Sequence, residues 1–337
     1  MKSLFYTLAI LLMAAPVTAH AEGPIRQRIK ERVVERIESK QSSTAETSVF
    51  KKITTPGDYY FGITHQGFAR KYHVHVPPSY NVIHPPAVVF ALHGGGGDME
   101  YMAKDEYYGL ISKADKEGFV VVFPNGYSRL SAGKFATWNA GACCGDARDK
   151  NVDDVGFIRA IVTHLTREMK IDSGRIFAIG MSNGGMMSYR LACEASDIFK
   201  AVASVAGTDN FSACSPSRPV SILHIHAKDD THVLFNGGAG EGAFRDESKV
   251  TDFVSVPNTI QGWVNRDQCS AQPQRVLNVS GAYCDVYNSC AAGTAVKLCV
   301  TETGGHSWPG GYKPRGGDPS QAISANDQIW SFFKNLN

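Results

Sequence analysis

The stretch "AIGMSNGGMMSYRLACE", from Ala178 to Glu194, places one serine between glycines at the end of an apolar run. The run before the serine, residues 176–179, is short and apolar and is closed by a glycine, which is typical of a buried parallel strand. After the serine, Met187 and Leu191 are four positions apart, which is helical spacing. The pattern therefore predicts that Ser182 lies at a strand-to-helix corner.

The residues at this corner, 180–184, read G-x-S-x-G. In that motif the serine occupies a strained turn, and the small flanking residues let the strand and the helix approach each other closely. The helix N-terminus offers backbone N–H groups and a positive dipole end to an oxyanion. The motif predicts that Ser182 is a nucleophile.

A serine nucleophile needs a base and a carboxylate that orients the base. Two histidines, His232 and His306, lie beyond the candidate carboxylates, and His232 is too near them to come from a separate loop. His306 lies in "TGGHSWPGG", a glycine-flanked loop after a predicted strand, and is the predicted base. The carboxylate must follow the strand "SILHIHA", where Asp229 and Asp230 are adjacent, and the residues alone do not separate the two.

A metal site is the rival interpretation of the same region. It would use a cluster of histidines and aspartates: His224, His226, Asp229, Asp230 and His232. Histidines on a buried strand are more often hydrogen-bonded core residues, and the sequence has no Cys-x-x-Cys pair. We therefore expect no metal.

The stretch "LHGGGGD", residues 92–98, ends another predicted strand in glycines. Such a loop places backbone N–H groups beside a nucleophile, and the predicted oxyanion donors are the amides of Gly95 and Asn183. A phosphate-binding loop is the alternative, but neither G-K-[ST] nor a helix-opening G-x-G-x-x-G is present.

With these motifs in order, residues from about Phe61 to the C-terminus resemble a family of secreted esterases. The family includes poly(3-hydroxybutyrate) depolymerase and the feruloyl and acetyl-xylan esterases of carbohydrate esterase family one. The motifs that carry the resemblance are "LHGGGGD", "WNAGACCGDARDKNVDDVGFI", "GMSNGGMMSYRLACE", "CSPSRPVSILHIHAKDD" and "GGHSWPGG".

The resemblance implies an α/β-hydrolase fold with a mostly parallel central sheet and helices on both faces, and no metal or organic cofactor. It implies a catalytic triad of Ser182, Asp230 and His306. In this family the acid usually ends the pattern His-Gly-Thr-x-Asp. When the histidine of that pattern is aligned with His226, its aspartate falls on Asp230. Because "HAKDD" departs from that pattern, Asp229 remains an alternative acid.

The order of predicted elements agrees with this fold class. An antiparallel pair opens the domain near residue 58, helical spacing covers residues 100–117, and strands then alternate with helices to a last helix near residue 330. No long insertion precedes the acid, so we expect no large lid.

Two tryptophans are candidates for substrate binding. Trp138 precedes paired cysteines and Trp308 follows His306 by two residues, so both are candidates to line an acyl pocket. The alternative is that they only hold their loops in place.

The length, composition and net charge of the chain limit the classes of protein to which it can belong. The chain has 337 residues with 43% hydrophobic residues and a formal net charge of +2, which suits one large α/β domain and gives no case for nucleic-acid binding. Residues 1–21 read as a signal peptide cleaved after Ala21, residues 22–48 as a charged amphipathic helix and linker, and residues 49–337 as the catalytic domain. No other segment reaches transmembrane length.

The signal peptide predicts a secreted or periplasmic protein, in which eight cysteines are expected to form disulfides. Four of them lie between residues 269 and 299, which suggests local bonds there. Cys143 and Cys144 either form a vicinal disulfide or pair with distant partners.

The predicted function is a serine carboxylic-ester hydrolase that forms an acyl-enzyme with polymer-borne or small esters, like polyhydroxybutyrate depolymerase or a feruloyl or acetyl-xylan esterase. Two alternatives are a serine peptidase on the same fold and a non-catalytic surface-binding protein on a hydrolase scaffold. The acyl group, the polymer and the oligomeric state do not follow from the sequence.

Overall fold

The computed structural model describes residues 52–243, 252–314 and 317–336. The predicted signal peptide, residues 1–21, and the predicted N-terminal helix and linker, residues 22–48, lie outside the described residues. None of the helices that are described is long and apolar enough to cross a membrane.

The described residues form a ten-stranded sheet in the order β1-β2-β4-β3-β5-β6-β7-β10-β9-β8. The strands are β1 Gly57–His65, β2 Phe68–Val76, β3 Val88–Leu92, β4 Val120–Pro124, β5 Ile176–Met181, β6 Ala201–Val205, β7 Ser221–Ala227, β8 Gln274–Val279, β9 Ala282–Tyr287 and β10 Val296–Thr301. The central six, from β4 to β10, are parallel, and antiparallel pairs close both edges. The predicted opening hairpin and mostly parallel sheet are confirmed.

The helices of this sheet are α1 Met99–Met102, α2 Asp105–Tyr108, α3 Leu110–Glu117, α4 Gly145–Asp149, α5 Asp154–Glu168, α6 Asn183–Glu194, α7 Val256–Arg266 and α8 Ala325–Lys334. The helical spacing of residues 100–117 is divided into three short helices. Gly109, which adopts a φ of 61°, ends α2 and begins α3. The N-cap of α5 is Asp153, whose side chain accepts a hydrogen bond from the amide of Gly156.

Both faces of the sheet are buried, because side chains of β3 alternate between two hydrophobic clusters. Val88 and Phe90 belong to the cluster that also contains residues of α5, α6 and α7. Val89 and Ala91 belong to the other, which contains residues of α1, α3 and α8. Helices on both faces of the sheet are the α/β-hydrolase arrangement that the sequence predicted. The described connection between β6 and β7, residues 206–220, is too short to form a large lid.

The hairpin β8–β9 and the helices α4 and α7 were not predicted. The side chains of β8 are mostly exposed, so the strand lacks the apolar run that marks the central strands. An edge position needs apolar residues on one face at most, which explains why the pattern is weak.

Four disulfides link the eight cysteines. Cys269 pairs with Cys290 and Cys284 with Cys299, which confirms the predicted local bonds. Cys193 pairs with Cys214, and Cys143 with its neighbour Cys144. Such a set is typical of proteins outside the reducing cytoplasm.

The carboxyl group of Asp267, at the C-terminal end of α7, makes the stability of this domain depend on pH. Burial raises its pKa to about 7, against the opposing effects of the Val220 amide and of Arg266. Between about pH 4 and pH 7 the unfolded chain therefore releases a proton that the folded chain retains. As a result, folding becomes less favourable as the pH rises through this window and does not change further above it.

We expect D267N to remove this loss, because an amide is neutral throughout the window. The variant should melt within a degree or so of the parent at pH 4 and roughly 5–10 °C above it at pH 8. Thermal melts at both pH values test this, and an equal Tm difference at the two would contradict it.

Candidate active site

Ser182 lies between β5 and α6 in a strained backbone conformation. Its φ is 57° and its ψ is −124°, a combination that residues other than glycine rarely adopt. Its amide donates to the carbonyl of Val205 and its carbonyl accepts from the amide of Met186, so both neighbouring elements hold the strained turn. The half-buried side chain of Ser182 faces a cavity.

The glycines around Ser182 allow close packing of the backbone. A Cβ on Gly184 would lie 2.2 Å from the carbonyl oxygen of Leu92, and one on Gly180 would lie 2.3 Å from the backbone of Gly184. A Cβ on Gly207 would lie 2.2 Å from the carbonyl oxygen of Ser182 itself. The small residues are therefore required by the approach of β3, α6 and the end of β6 to the serine.

Asp230 is the carboxylate that the structure brings to His306. Its Oδ2 lies 2.8 Å from Nδ1 of His306, and its Oδ1 accepts hydrogen bonds from the amides of His232 and Val233 at 2.8 and 3.0 Å. Burial raises the pKa of Asp230, but the hydrogen bonds from His226 and His306 outweigh it and hold the pKa well below its usual range. An ionised Asp230 accepts a proton-bearing Nδ1, so Nε2 of His306 is left with a free lone pair.

Asp229 makes a different contact. Its two carboxylate oxygens accept hydrogen bonds from the amides of Gly304 and Gly305, at 3.2 and 2.8 Å. Asp229 thus holds the backbone of the loop that carries His306, whereas Asp230 holds the imidazole.

A buried chain of hydrogen bonds runs from the core to Asp230. Nε2 of His226 lies 2.8 Å from the carbonyl oxygen of Val233, which can only accept, and 3.3 Å from Oδ2 of Asp230. Nδ1 of His226 lies 3.0 Å from Nε2 of His224, whose Nδ1 lies 2.8 Å from the hydroxyl of Tyr189. Burial lowers the pKa of His224 well below its usual value, so this imidazole is neutral.

The glycine loop after β3 is held in position by His93. The imidazole Nε2 accepts from the amide of Gly126 at 2.9 Å and Nδ1 donates to the carbonyl of Gly94 at 2.8 Å. Because the amides of Gly96 and Gly97 already donate to other carbonyls, they are unavailable to a ligand. Gly94 and Gly95 also lie in the cavity wall, and the amide of Gly95 is the predicted oxyanion donor of the loop.

The side chain of Asn183 has a role that the sequence reasoning did not find. Its Oδ1 accepts from the amide of Trp138 at 2.7 Å, and its Nδ2 donates to the carbonyl of Trp138 at 3.0 Å. This pair of bonds fixes the loop that carries Cys143 and Cys144, which line the cavity. The only signal in the sequence was an amide side chain directly after the serine.

Neither tryptophan lines the cavity. Trp138 is fully buried and its Nε1 donates to the carbonyl of His93 at 2.9 Å. Trp308 is also buried, and its Nε1 donates to Oδ1 of Asn326 at 3.1 Å. The predicted role of both tryptophans in lining an acyl pocket is therefore wrong for this cavity. Their side chains hold loops in place, which was the alternative interpretation.

The cavity beside Ser182 has a volume of about 460 Å³. Ser182, His306, Gly95 and Asn183 all line it, so the structure brings together the predicted nucleophile, base and oxyanion donors. Its apolar lining comes from residues that sequence reasoning did not single out: Tyr101, Tyr108, Met181, Met186, Val233 and Phe253.

The metal cluster that was weighed against the triad does not form as a set. His224 and His226 are engaged with each other and Asp229 with a loop, as described above. Among the described residues, Asp230, His232 and His306 have possible ligand atoms within 4.8 Å of one another. However, the rings of His232 and His306 are nearly parallel, and nitrogen lone pairs in two stacked rings cannot point at one ion.

A family model described as "Prolyl oligopeptidase family" matches residues 109–215, which include Ser182 but neither Asp230 nor His306. The putative esterase NocK of Nocardia uniformis subsp. tsuyamanensis is 31% identical over 264 residues, which cover 74% of this chain and 73% of that protein. This chain belongs to the same esterase family.

Other members are named for the esters they cleave. Feruloyl esterase B of Piromyces equi is 32% identical over 196 residues, and probable feruloyl esterase C of Aspergillus clavatus is 35% identical over 184 residues. The matches cover 57% and 53% of this chain, but only 34% and 61% of those relatives. The chain is thus similar to these two feruloyl esterases over only part of their length.

Solved structures agree on the fold. The acetyl xylan esterase from Aspergillus awamori superimposes with a TM-score of 0.55 at 15% identity, covering 82% of this chain and 99% of that one. An S-formylglutathione hydrolase from Agrobacterium tumefaciens gives a TM-score of 0.51 at 16% identity, covering 86% and 99%.

The two adjacent aspartates should respond differently to the loss of charge. We expect D230N to lower kcat/KM for a soluble ester by roughly 10³- to 10⁴-fold, because an amide no longer holds the imidazole in the required tautomer. We expect D229N to lower it by no more than about tenfold, because the amide oxygen still accepts one loop N–H. Steady-state kinetics of both variants provide the measurement, and a larger loss in D229N would reverse the assignment.

Proposed function

We propose that this protein is a serine carboxylic-ester hydrolase that acts through an acyl-enzyme on polymer-borne esters. The observation that carries the proposal is the hydrogen bond between His306 and Asp230 in a cavity that Ser182 also lines. Membership of an esterase family supports it independently.

In the proposed first step, Nε2 of His306 takes the proton of Ser182 as the serine Oγ attacks the ester carbonyl. Ionised Asp230 stabilises the imidazolium that results. The backbone amides of Gly95 and Asn183 donate hydrogen bonds to the oxyanion. His306 then gives the proton to the departing alcohol, and water releases the acyl group by the same sequence of proton transfers.

The cavity suits an acyl group larger than acetyl. Its volume of about 460 Å³ lies in the range of small-molecule pockets, and its walls are largely aromatic and aliphatic. A feruloyl ring or a hydroxyalkanoate chain would bury apolar surface there, whereas an acetyl group would leave most of it unfilled.

Export belongs to the same proposal. Cleavage after Ala21 would release the mature enzyme, and the four disulfides fit a place outside the cytoplasm.

The first test is a release assay with purified protein and S182A as the blank. Methyl ferulate, acetylated xylan and a poly(3-hydroxybutyrate) film are offered side by side. We expect release from methyl ferulate or the film to exceed release from acetylated xylan, and S182A to lower every rate by roughly 10⁴-fold or more. Full activity of S182A would overturn the proposal.

Exposed apolar side chains near the cavity support a polymeric substrate. We define the rim as Phe135, Val254 and Tyr312, which are 76%, 37% and 59% exposed. Phe135 precedes Ala136, whose backbone bonds to Gly96 and Gly97 of the cavity wall. Val254 and Tyr312 each adjoin a cavity-lining residue in the chain.

The backbone of Phe135 strengthens this interpretation. Its φ of 53° is unfavourable for a residue with a bulky side chain, yet the conformation presents the ring to solvent. Strain combined with an exposed aromatic ring is typical of a contact surface.

The contribution of the rim can be tested with F135N and I83N. Asparagine tolerates a positive φ, so F135N keeps the loop conformation and loses the ring. The matched control is Ile83, which is 77% exposed. It lies in the connection that leads into the amino-terminal end of β3, whereas the cavity lies at the carboxyl-terminal end of that strand.

We expect F135N to slow hydrolysis of an insoluble polymer roughly three- to tenfold more than hydrolysis of methyl ferulate, since it removes apolar contact area. I83N should change neither rate by more than about a factor of two. An equal effect of F135N and I83N on the polymer would remove the rim from the proposal.

A serine peptidase is the second candidate, because residues 109–215 match the prolyl oligopeptidase family. The same nucleophile would then attack an amide. Release of p-nitroaniline from short peptide anilides, lost in S182A and faster than ester hydrolysis, would favour it.

A further inference from the structure

We propose that His232 is a positioning residue, whose ring holds the imidazole of His306 in the orientation that proton transfer from Ser182 requires. This inference rests on the proposed role of His306 as the base. Sequence reasoning excluded His232 as the base because it is too close to the carboxylates, and otherwise named it only in the rival metal cluster.

The two imidazoles are stacked. Their ring centroids are 4.5 Å apart and their planes differ by 14°. The hydrogen bond from Nδ1 of His306 to Asp230 fixes one point of the ring and leaves the ring free to tilt about that bond. A second ring against its face opposes that tilt, and the pair gains the contact energy of stacked rings.

The backbone around His232 is itself tied to the same carboxylate. The amide of His232 donates to Oδ1 of Asp230 at 2.8 Å, while Oδ2 holds His306. The amide of Gly240 donates to the carbonyl of His232 at 3.0 Å. Displacement of His306 relative to Asp230 would therefore also displace it relative to the His232 ring.

Gly242 holds the edge of the His232 ring. A Cβ on Gly242 would lie 2.6 Å from both Cε1 and Nδ1 of that ring, so the backbone of the loop already rests against it. The amide of Gly242 donates to the carbonyl of Thr231 at 2.8 Å, which fixes the loop in that position. The His232 ring is thus backed by the loop at its edge and covers His306 with its face.

The charge of His232 suits this role. Burial lowers its pKa, and positive charge on His306 or Lys313 lowers it further against the opposing effect of Asp230. His232 is therefore neutral when His306 becomes an imidazolium, so it does not repel the charge that forms on the base. Among the described residues its buried Nδ1 has no hydrogen-bond partner, and the contact that the side chain makes with His306 is through its ring face.

Four variants test the proposal on a soluble ester. H232A removes the ring, and H232F keeps a ring without a titrating group. G242A changes no polar group but pushes the His232 ring, and G262A is its control, because a Cβ on Gly262 in α7 meets nothing within 4 Å. Thermal melts establish that each variant is folded.

We expect H232A and G242A to lower kcat roughly five- to twentyfold with KM changed less than about twofold, because misorientation of a base affects the chemical step. H232F should recover most of kcat, and G262A should match the parent. The downfield NMR resonance of the His306 Nδ1 proton should broaden in H232A and persist in H232F.

Parental kcat in H232A, or kcat in H232F as low as in H232A, would overturn the positioning role. These outcomes are separate from failure of the proposed function, which would appear as retained activity in S182A and in H306A. If those two variants are inactive while H232A is fully active, only the inference about His232 fails.

Discussion

The buried carboxylate of Asp230 is the group on which the site depends. It accepts hydrogen bonds from the imidazole of His306 and from the amides of His232 and Val233, and it lies 3.3 Å from Nε2 of His226. The hydrogen bonds from His226 and His306 outweigh the burial that would otherwise neutralise the acid, so the pKa of Asp230 stays well below its usual range. A carboxylate that is charged and fully bonded determines the tautomer of His306, and through it the direction in which Ser182 can lose a proton.

The nucleophile depends on a second constraint, which is steric. The strained conformation of Ser182 persists because β3, α6 and the end of β6 approach it more closely than any side chain on Gly180, Gly184 or Gly207 would allow. The surrounding packing therefore maintains a backbone geometry that would not be stable alone. A Cβ added to Gly94 would lie 3.5 Å from the Cβ of Ser182. The same close approach therefore brings the glycine loop to Ser182.

The cavity wall is assembled from loops that no local pattern connects. Asn183 bonds to the backbone of Trp138, His93 accepts from the amide of Gly126, and Asp229 binds the loop of His306. Each contact joins segments at least 30 residues apart in the chain. The tryptophans hold loops from inside the core. Of the six apolar side chains that line the cavity, only Met181 and Met186 belong to a sequence motif.

The sequence by itself determined the fold class and the central strands, and it marked Ser182 and His306 as the candidate nucleophile and base, because buried strands, glycine-rich corners and helical spacing are local patterns. It did not reveal β8, whose exposed side chains carry no apolar run, nor the division of residues 100–117 into three helices. Only the tertiary structure placed Asp230 at the imidazole and Asp229 at the loop, since the two are identical in type and differ in the direction in which their side chains leave the turn. It also placed His232 against His306, a contact across 74 positions of chain that depends on how two loops meet at the end of the sheet.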